Sequence, residues 1–591
     1  MTAHSEITVA SNTEAREEAL LAAAMRAASW VLAAVPFGVA AWFVSGFSLV
    51  MPLFDHWTLF PIFARFSSGD FRWSDFFLPH NRLHVAPLVK LVLAVLATVT
   101  GWSFRAEMAL GLLVVAYTGV ILHRAFSASL PGPSHRAARG VALFLTMALL
   151  YSPAQDWIWT WSIGFFHYFE NAAVATAVYA FAKRKPSIGL AVLGCVAATF
   201  NRFEGMFTWI VFLPALFVAA RRLPRPRRQS LPWLAWGAAA AVSCGTCATL
   251  IAVARPVEFS SMGGSMTSGM VDRLKAATSL LGMSAGLFTE SHGADALRAA
   301  AFFPAGVVVV ALFVGAAVAL LRDGAHDASR DGSRERALPW ICLGAFAVAF
   351  AAATAAAREE VATPDSLWLL RCYLSAYSST ASLFAVATVH LVVLFLAERP
   401  ARFGVSAERL GRVAAALSLV VVAFDYAHAF PRLAARRAEG HWDRYCVELA
   451  PYFAAKSTCY MPPGGGAALE RAGFGRMARR VAYAGEGAHF GTVETAFTAA
   501  EPLGGAGIAA ISGHVALRDD ADGTVLVAFG DDRAFVAEAR ELRATPNGTE
   551  WIATLPWGFV ESDPRPLSAW AYDRAHRVFR RLDGEARPRR Q

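Results

Sequence analysis

The distribution of apolar positions is the first thing the chain shows. Long uninterrupted apolar runs recur from about residue 30 to residue 429, separated by short polar or basic segments. About 20 apolar residues suffice to cross a bilayer as a helix. On that criterion the pattern predicts about eleven transmembrane helices, near 30–50, 104–124, 140–152, 165–182, 187–200, 206–220, 231–253, 300–321, 338–357, 379–397 and 411–429. The first residues, 1–29, are polar and weakly helical and read as a retained tail rather than a cleavable signal. The run 85–100 is apolar but short, and Lys90 interrupts it, so it reads as a helix lying at the membrane interface.

Beyond residue 430 the texture changes. Residues 431–475 read as a mainly helical connector, and 476–591 as short alternating segments bounded by Gly, Asp, Asn and Pro. GTVLVAFG (523–530), RAFVAEARELRA (533–544), TEWIATLPW (549–557) and LSAWAYD (567–573) carry the period of two. Turn signals every ten or so residues predict an antiparallel β-sandwich.

Composition agrees with the pattern: 56% of residues are hydrophobic and 17% charged, with a mean hydropathy of +0.42. Soluble domains carry roughly 25% charge, so a soluble enzyme and a disordered chain are both excluded. The expected fold is a polytopic α-helical membrane protein with an appended β-sandwich. The net charge of +9 resides largely in loops. Clusters at Arg136 and Arg139, Lys183 to Lys185, Arg221 to Arg228, Arg330 to Arg336 and Arg399 to Arg412 all fall on one side of the predicted spans. By the positive-inside rule that side is cytoplasmic, as is the N-terminus, and an odd number of spans puts the C-terminal domain outside. The basic excess is thus an orientation signal, and no nucleic-acid partner is expected.

Cys195, Cys244, Cys247, Cys342 and Cys372 lie in or beside spans and read as packing residues. The Cys244/Cys247 pair has no second pair or His to complete a metal site. Cys446 and Cys459 fall in the predicted external region, where a disulfide is chemically allowed. The sequon at 547–549 is a short pattern with little weight, and no Gly-rich phosphate loop occurs between a strand and a helix.

The scarce charges on the predicted outer face are the candidate chemistry. The first outer loop, within 51–103, holds Asp55, Asp70 and Asp75, His56, His80 and His84, and Arg65, Arg72 and Arg82 among many aromatics. Asp55 directly follows the first span; a carboxylate at the boundary costs free energy unless it is paired or used, and partial desolvation makes it a better base. A hydrated loop residue or helix cap is the plainer reading. Residues 151–171 add Gln155, Asp156, His167, Glu170 and Asn171 beside Trp157, Trp159 and Trp161. An interfacial aromatic belt explains the tryptophans but not the acids or amides. The turn TFNRFEGMF (199–207) supplies Asn201, Arg202 and Glu204, and Arg371 and Tyr373 precede the tenth span. An Arg there either anchors in headgroups or holds a lipid-linked phosphate. Four segments thus converge on one face, suited to an amphipathic substrate carrying phosphate or sugar.

With these residues assembled, the chain resembles bacterial membrane proteins of the GT-C glycosyltransferase superfamily, on the side of the protein O-mannosyltransferase and aminoarabinose-transferase types. FDHW (54–57) is similar to the first motif of that branch, often Asp-Asp-Trp. HNRLH (80–84) keeps His80 and Asn81 of a His-Asn-Glu-His-Arg motif, QDWIWTWSIGF (155–165) is similar to a Gln-x-x-Asn-Trp-x-Trp-Gly-Phe run, and RCY (371–373) is similar to an Arg-Tyr before a late helix. The resemblance implies a multi-pass protein of the bacterial inner membrane that transfers sugar, with inversion, from a polyprenyl-phosphate donor to an external hydroxyl of a glycan, lipid or protein. It implies Asp55 as general base, Arg371 with Arg202 at the leaving phosphate, and His80 and Asn81 positioning substrate. His56 stands where that motif carries a second acid, which speaks against a divalent metal, and no cofactor is expected. Two other classes compete: a non-catalytic scaffold or export component with a glycan-binding sandwich, and a transporter. The latter is disfavoured because the charges lie at the boundary and no internal repeat is visible.

Overall fold

The computed structural model describes residues 2–47, 56–78, 84–101, 103–161, 164–222, 226–253, 270–283, 295–326, 331–357 and 367–398, scattered positions between 416 and 454, and most of 481–587. Contacts divide the chain into two units. The first comprises Met1–Gly46, Trp73–Val92 and Arg105–Leu433; the second comprises Phe47–Arg72, Leu93–Phe104 and Ala434–Gln591.

The first unit is helical. Its elements begin with α1 (Thr2–Phe47), which runs through the segment read as a weakly helical tail. That stretch is rich in Ala and Glu, which favour helix. After α2 (His56–Ser68) in the other unit come α3 (Pro87–Thr100), α4 (Phe104–Ser129), α5 (Arg136–Leu150), the short α6 (Asp156–Thr160), α7 (Phe165–Ala182) and α8 (Ile188–Asn201). Short α9 (Thr208–Val211) and α10 (Leu213–Arg221) lead to α11 (Pro226–Val253), α12 (Met270–Met283), α13 (Asp295–His326), α14 (Asp331–Ala357) and α15 (Leu367–Glu398). Ten of the eleven expected spans therefore fall on helices, and the one at 411–429 lies mostly outside the described residues. Among the described residues, seven helical stretches are long and apolar enough to cross a membrane: Ala27–Gly46, Phe104–Ser129, Phe203–Arg221, Ser230–Val253, Phe303–Arg322, Gly332–Ala356 and Tyr377–Glu398. The runs at 140–152 and 187–200 are short helices, and α7 is interrupted by His167, Glu170 and Asn171. The sequence pattern did not anticipate α12, whose mixed face of Asp, Arg and Lys hides its packing against α13 and α14.

Close approach holds α7 to α8. A Cβ on Gly194 would stand 2.7 Å from the Ala173 carbonyl oxygen, so only glycine lets the two backbones meet at this distance. The hairpin sends the 183–187 turn to one end of the bundle and the starts of α7 and the end of α8 to the other. The first end is basic. Arg222 pairs with Glu335, Arg336 Nη2 lies 2.7 Å from Glu398, and Arg139 donates to the Leu130 carbonyl. Burial and the neighbouring charge of Arg139 hold His135 below the ordinary imidazole range. The predicted clustering of Arg139, Lys183, Arg222 and Arg336 at one end of the helices is thus observed.

In the second unit the C-terminal strands are β1 (Ala482–Ala484), β2 (Gly491–Ala499), β3 (Ile508–Val515), β4 (Gly523–Phe529), β5 (Ala537–Thr545), β6 (Gly548–Pro556), β7 (Leu567–Asp573) and β8 (Val578–Arg581). They form one continuous sheet in the order β1-β8-β7-β4-β5-β6-β3-β2, a half-barrel, where the sequence pattern predicted two separate sheets. The cause lies in β5. Ala537 and Glu538 pair with β4, and from Ala539 onward the strand pairs with β6, across an irregularity between Ala539 and Glu541. An extra residue there bends the strand and strengthens its twist, so one sheet curls and faces itself. Val525, Val527 and Ala571 meet Ile511, Trp551 and Ala553 in the enclosed core. The outer face of β4, β7 and β8 is also covered: Leu526, Trp570, Tyr572 and Phe579 pack with Tyr445, Leu449 and Phe535. This explains why β4 and β7 are buried at every position rather than alternately. The expected 431–475 connector falls mostly outside the described residues, as do Cys446, Cys459 and Asn547.

Asp573 closes the β7–β8 turn. Burial alone would raise its carboxyl, but the His576 backbone N–H (3.1 Å), the His576 ring and the charge of Arg580 together hold it below the ordinary carboxylate range. A depressed carboxylate contributes stability that is complete above the unfolded value of about 3.9 and is lost as pH falls through the lower folded value. Asp573→Asn is expected to lower hydrogen-exchange protection in β8 at neutral pH and to flatten its loss below about pH 4; unchanged protection would remove the assigned role.

Candidate functional site

The polar residues of the first unit converge at the end opposite the basic turns. Arg202 follows the last residue of α8 in extended conformation, and only 2% of it is exposed. Its Nη1 donates to His167 Nδ1 at 2.8 Å and to Glu170 Oε2 at 3.2 Å, and its Nη2 donates to Glu204 Oε1 at 3.1 Å. The guanidinium also lies over the rings of Phe350 (5.2 Å) and Tyr377 (5.8 Å). Guanidinium can only donate, so His167 Nδ1 is an acceptor and the proton of a neutral ring sits on Nε2. The His167 ring is in turn 6.4 Å from Trp161 and 6.0 Å from Tyr377.

The local sequence builds this geometry. Residues 167 and 170 are three apart on α7 and share a face. The α8 end brings Arg202 to that face, and the turn that follows returns Glu204 to the same guanidinium. The turn is tight: a Cβ on Gly205 would stand 2.1 Å from the Ala198 carbonyl oxygen. Asn201 Nδ2 donates to the Phe166 carbonyl at 2.6 Å, which ties the end of α8 to the start of α7. Asn171 Nδ2 donates to the Ser379 carbonyl at 2.9 Å, which ties α7 to α15.

Electrostatically the cluster holds one permanent cation and two carboxylates. Glu170 is fully buried, and its Oε1 has no hydrogen-bond partner among the described residues. A small cleft is lined by its sequence neighbour Asn171 together with Gln155, Tyr168, Ser379, Val115, Thr118 and Leu150. Gln155 Nε2 donates to the Leu149 carbonyl at 3.0 Å, which leaves Oε1 as an acceptor. Gln155 Oε1, Tyr168 Oη and Asn171 Oδ1 are all buried and have no partner among the described residues. The cavity therefore offers two amide acceptors and a phenol to a group that donates hydrogen bonds.

Among the sequence-derived candidates, the structure brings together Asn201, Arg202 and Glu204, and places Gln155 at the neighbouring cavity. Asp156 and Trp157 form the first turn of α6. Arg371 and Tyr373 lie on α15 in the turns preceding Tyr377. His56 opens α2 in the second unit; it is fully buried, its ring centroid is 4.8 Å from that of Phe104, and burial pushes it down to about 3, so it is neutral. His84 is half-buried just before α3. Asp55, His80 and Asn81 lie outside the described residues. His167 and Glu170 belong to the cluster although neither headed the sequence reading; their signal was a carboxylate within an apolar run. Lys90 is a further buried cation, pushed down to about 7 by burial, whose Nζ donates to the Phe76 and Leu78 carbonyls and so fastens the short turn Trp73–Phe77 to α3. No group of three or more His, Cys, Asp or Glu arranged for a metal occurs among the described residues.

Comparison of the chain with models of known protein families, with curated proteins and with solved structures yields no match.

Removing one member of a buried ion network leaves an uncompensated charge and costs about 3–5 kcal/mol, whereas replacing the set by apolar groups is far less costly. Arg202→Met is thus expected to lower the thermal stability of the full chain by that order, and the Arg202→Met/Glu170→Met/Glu204→Met variant to regain most of it. A single variant as stable as the parent would show that the cluster is not the bundle's electrostatic keystone.

Proposed function

We propose that the chain is a membrane-embedded transferase that moves a sugar from a polyprenyl-phosphate donor to an external hydroxyl acceptor. The observation that carries this reading is the Arg202–Glu170–Glu204–His167 cluster, set with aromatic rings and an acceptor-rich cavity at one end of a strongly apolar bundle. Apolar helices keep such groups only where they are paired or used. Seven helices of crossing length among the described residues support membrane insertion, and the basic groups gathered at the opposite end support a cytoplasmic position for that end.

Asp55 is the proposed general base. It takes the acceptor hydroxyl proton as that oxygen forms its bond to the anomeric carbon, and the bond to the lipid phosphate breaks with the electron pair leaving on phosphate oxygen. The leaving phosphate is assigned to Arg371 alone. Arg202 already donates to three acceptors and is balanced by two carboxylates, so it acts as a positioning residue for Glu204 and His167. The half-buried Trp161 is assigned to stacking on a sugar ring. His80, Asn81, His84 and Tyr373 are assigned to substrate positioning.

The same neutralised Arg202 favours one alternative, a non-catalytic scaffold in which the cluster only fixes helix geometry. Asp55→Asn separates the two. The transferase reading predicts a fall of about 10²-fold or more in surface glycan or glycolipid product at unchanged protein level, because a general base contributes 10²–10⁴-fold. Unaltered product with Asp55→Asn leaves the scaffold reading standing.

A further inference from the structure

The basic end of the helical unit carries a groove that the transfer chemistry does not use. It opens between the ends of α7 and α10 and the start of α14. Phe181, Ala215, Val218 and Leu338 supply apolar walls, while Arg222 and Glu335 stand at the mouth. The turn after α7 brings Lys183, Arg184 and Lys185 next to Pro186, which also lines the groove. Arg221, at the end of α10, lies over the Phe217 ring at 4.0 Å, and Lys183 Nζ lies 5.7 Å from the Tyr179 ring. Lys183, Arg184, Lys185 and Arg221 thus adjoin in sequence the groove residues Pro186 and Arg222, and the carboxylate in the groove lining is Glu335. That carboxylate pairs with Arg222 and fixes its head at the rim, where 37% of the side chain stays exposed.

We propose that this groove binds the headgroup of an anionic phospholipid, with the phosphate at the cationic rim and the first part of an acyl chain against the apolar walls. The inference rests on the membrane reading of the bundle given above. Three observations select this occupant. The walls are apolar and so accept methylenes; the turns flanking the mouth are rich in Lys and Arg and so favour phosphate; and basic pockets between transmembrane helices on the cytoplasmic side recognise anionic headgroups. Paired Arg222 gives direction to the site and the neighbouring Lys and Arg residues give it affinity, so the attraction weakens with salt.

The test is native mass spectrometry of the full chain extracted from membranes, with added phosphatidylglycerol or phosphatidylcholine as the two probes. The proposal predicts one phosphatidylglycerol retained per chain, saturating, with no comparable phosphatidylcholine peak. Lys183→Gln/Arg184→Gln/Lys185→Gln, which removes rim charge without breaking the Arg222–Glu335 pair, lowers the bound fraction about fivefold or more. Equal retention of both lipids, binding without saturation, or full retention by the triple variant would overturn the site. A chain recovered free of membranes would instead remove the membrane reading on which it rests.

Discussion

A guanidinium in an apolar helical bundle is the constraint on which the first unit depends. Arg202 is cationic at every accessible pH and is almost wholly withdrawn from solvent. Such a charge is tolerated only with partners at hydrogen-bond distance. Its partners come from one helix and a turn: His167 and Glu170 from α7, Glu204 from the tight segment after α8. Satisfying the charge therefore fixes the α7–α8 hairpin, the course of the chain through Gly205, and the approach of Phe350 and Tyr377 from α14 and α15. The amide clamps of Asn171 and Asn201 act at the same end, so packing and electrostatics reinforce each other.

This arrangement gives the bundle two chemically distinct ends. One is a rim of lysine and arginine around short turns, with ion pairs that remain solvent-screened. The other is a buried cluster of one guanidinium and two carboxyl groups, next to amide and phenol groups without partners among the described residues. Screening makes the first end an adaptable electrostatic surface, whereas burial makes the second a rigid one. The division is compatible with the proposed roles, anionic lipid at the basic end and a lipid-linked sugar at the other. The β half-barrel is a separate problem, solved by bending β5 so that a single sheet buries both faces of its central strands.

Much of this was legible in the sequence. Apolar runs located the helices, the Gly- and Asp-bounded alternating segments located the strands, and the basic clusters announced a common end. Three features were not. Whether the strands close one sheet or two depends on the β5 irregularity, a single-residue pairing choice that alternation does not encode. Helix α12 carries charges on a short segment whose packing face is defined only by its neighbours. At the site, Arg202 and Glu204 were visible as an ion-pair candidate, yet the pairing with Glu170 and His167 spans more than thirty positions and depends on the α7–α8 hairpin. Sequence spacing shows which charges are out of place and leaves open which of them meet. That meeting changed one assignment: a guanidinium already balanced by two carboxylates is better suited to hold a site together than to receive a phosphate.

The most direct test of the account is a cryo-EM structure of the full chain in lipid nanodiscs with added polyprenyl phosphate. The account predicts phosphate density at the Arg202 end of the bundle, contacted by Arg371 on the first turns of α15, with the Arg202–Glu170–Glu204 network intact beside it. Polyprenyl phosphate bound only at the basic end, or an Arg371 side chain directed away from any headgroup density, would contradict it.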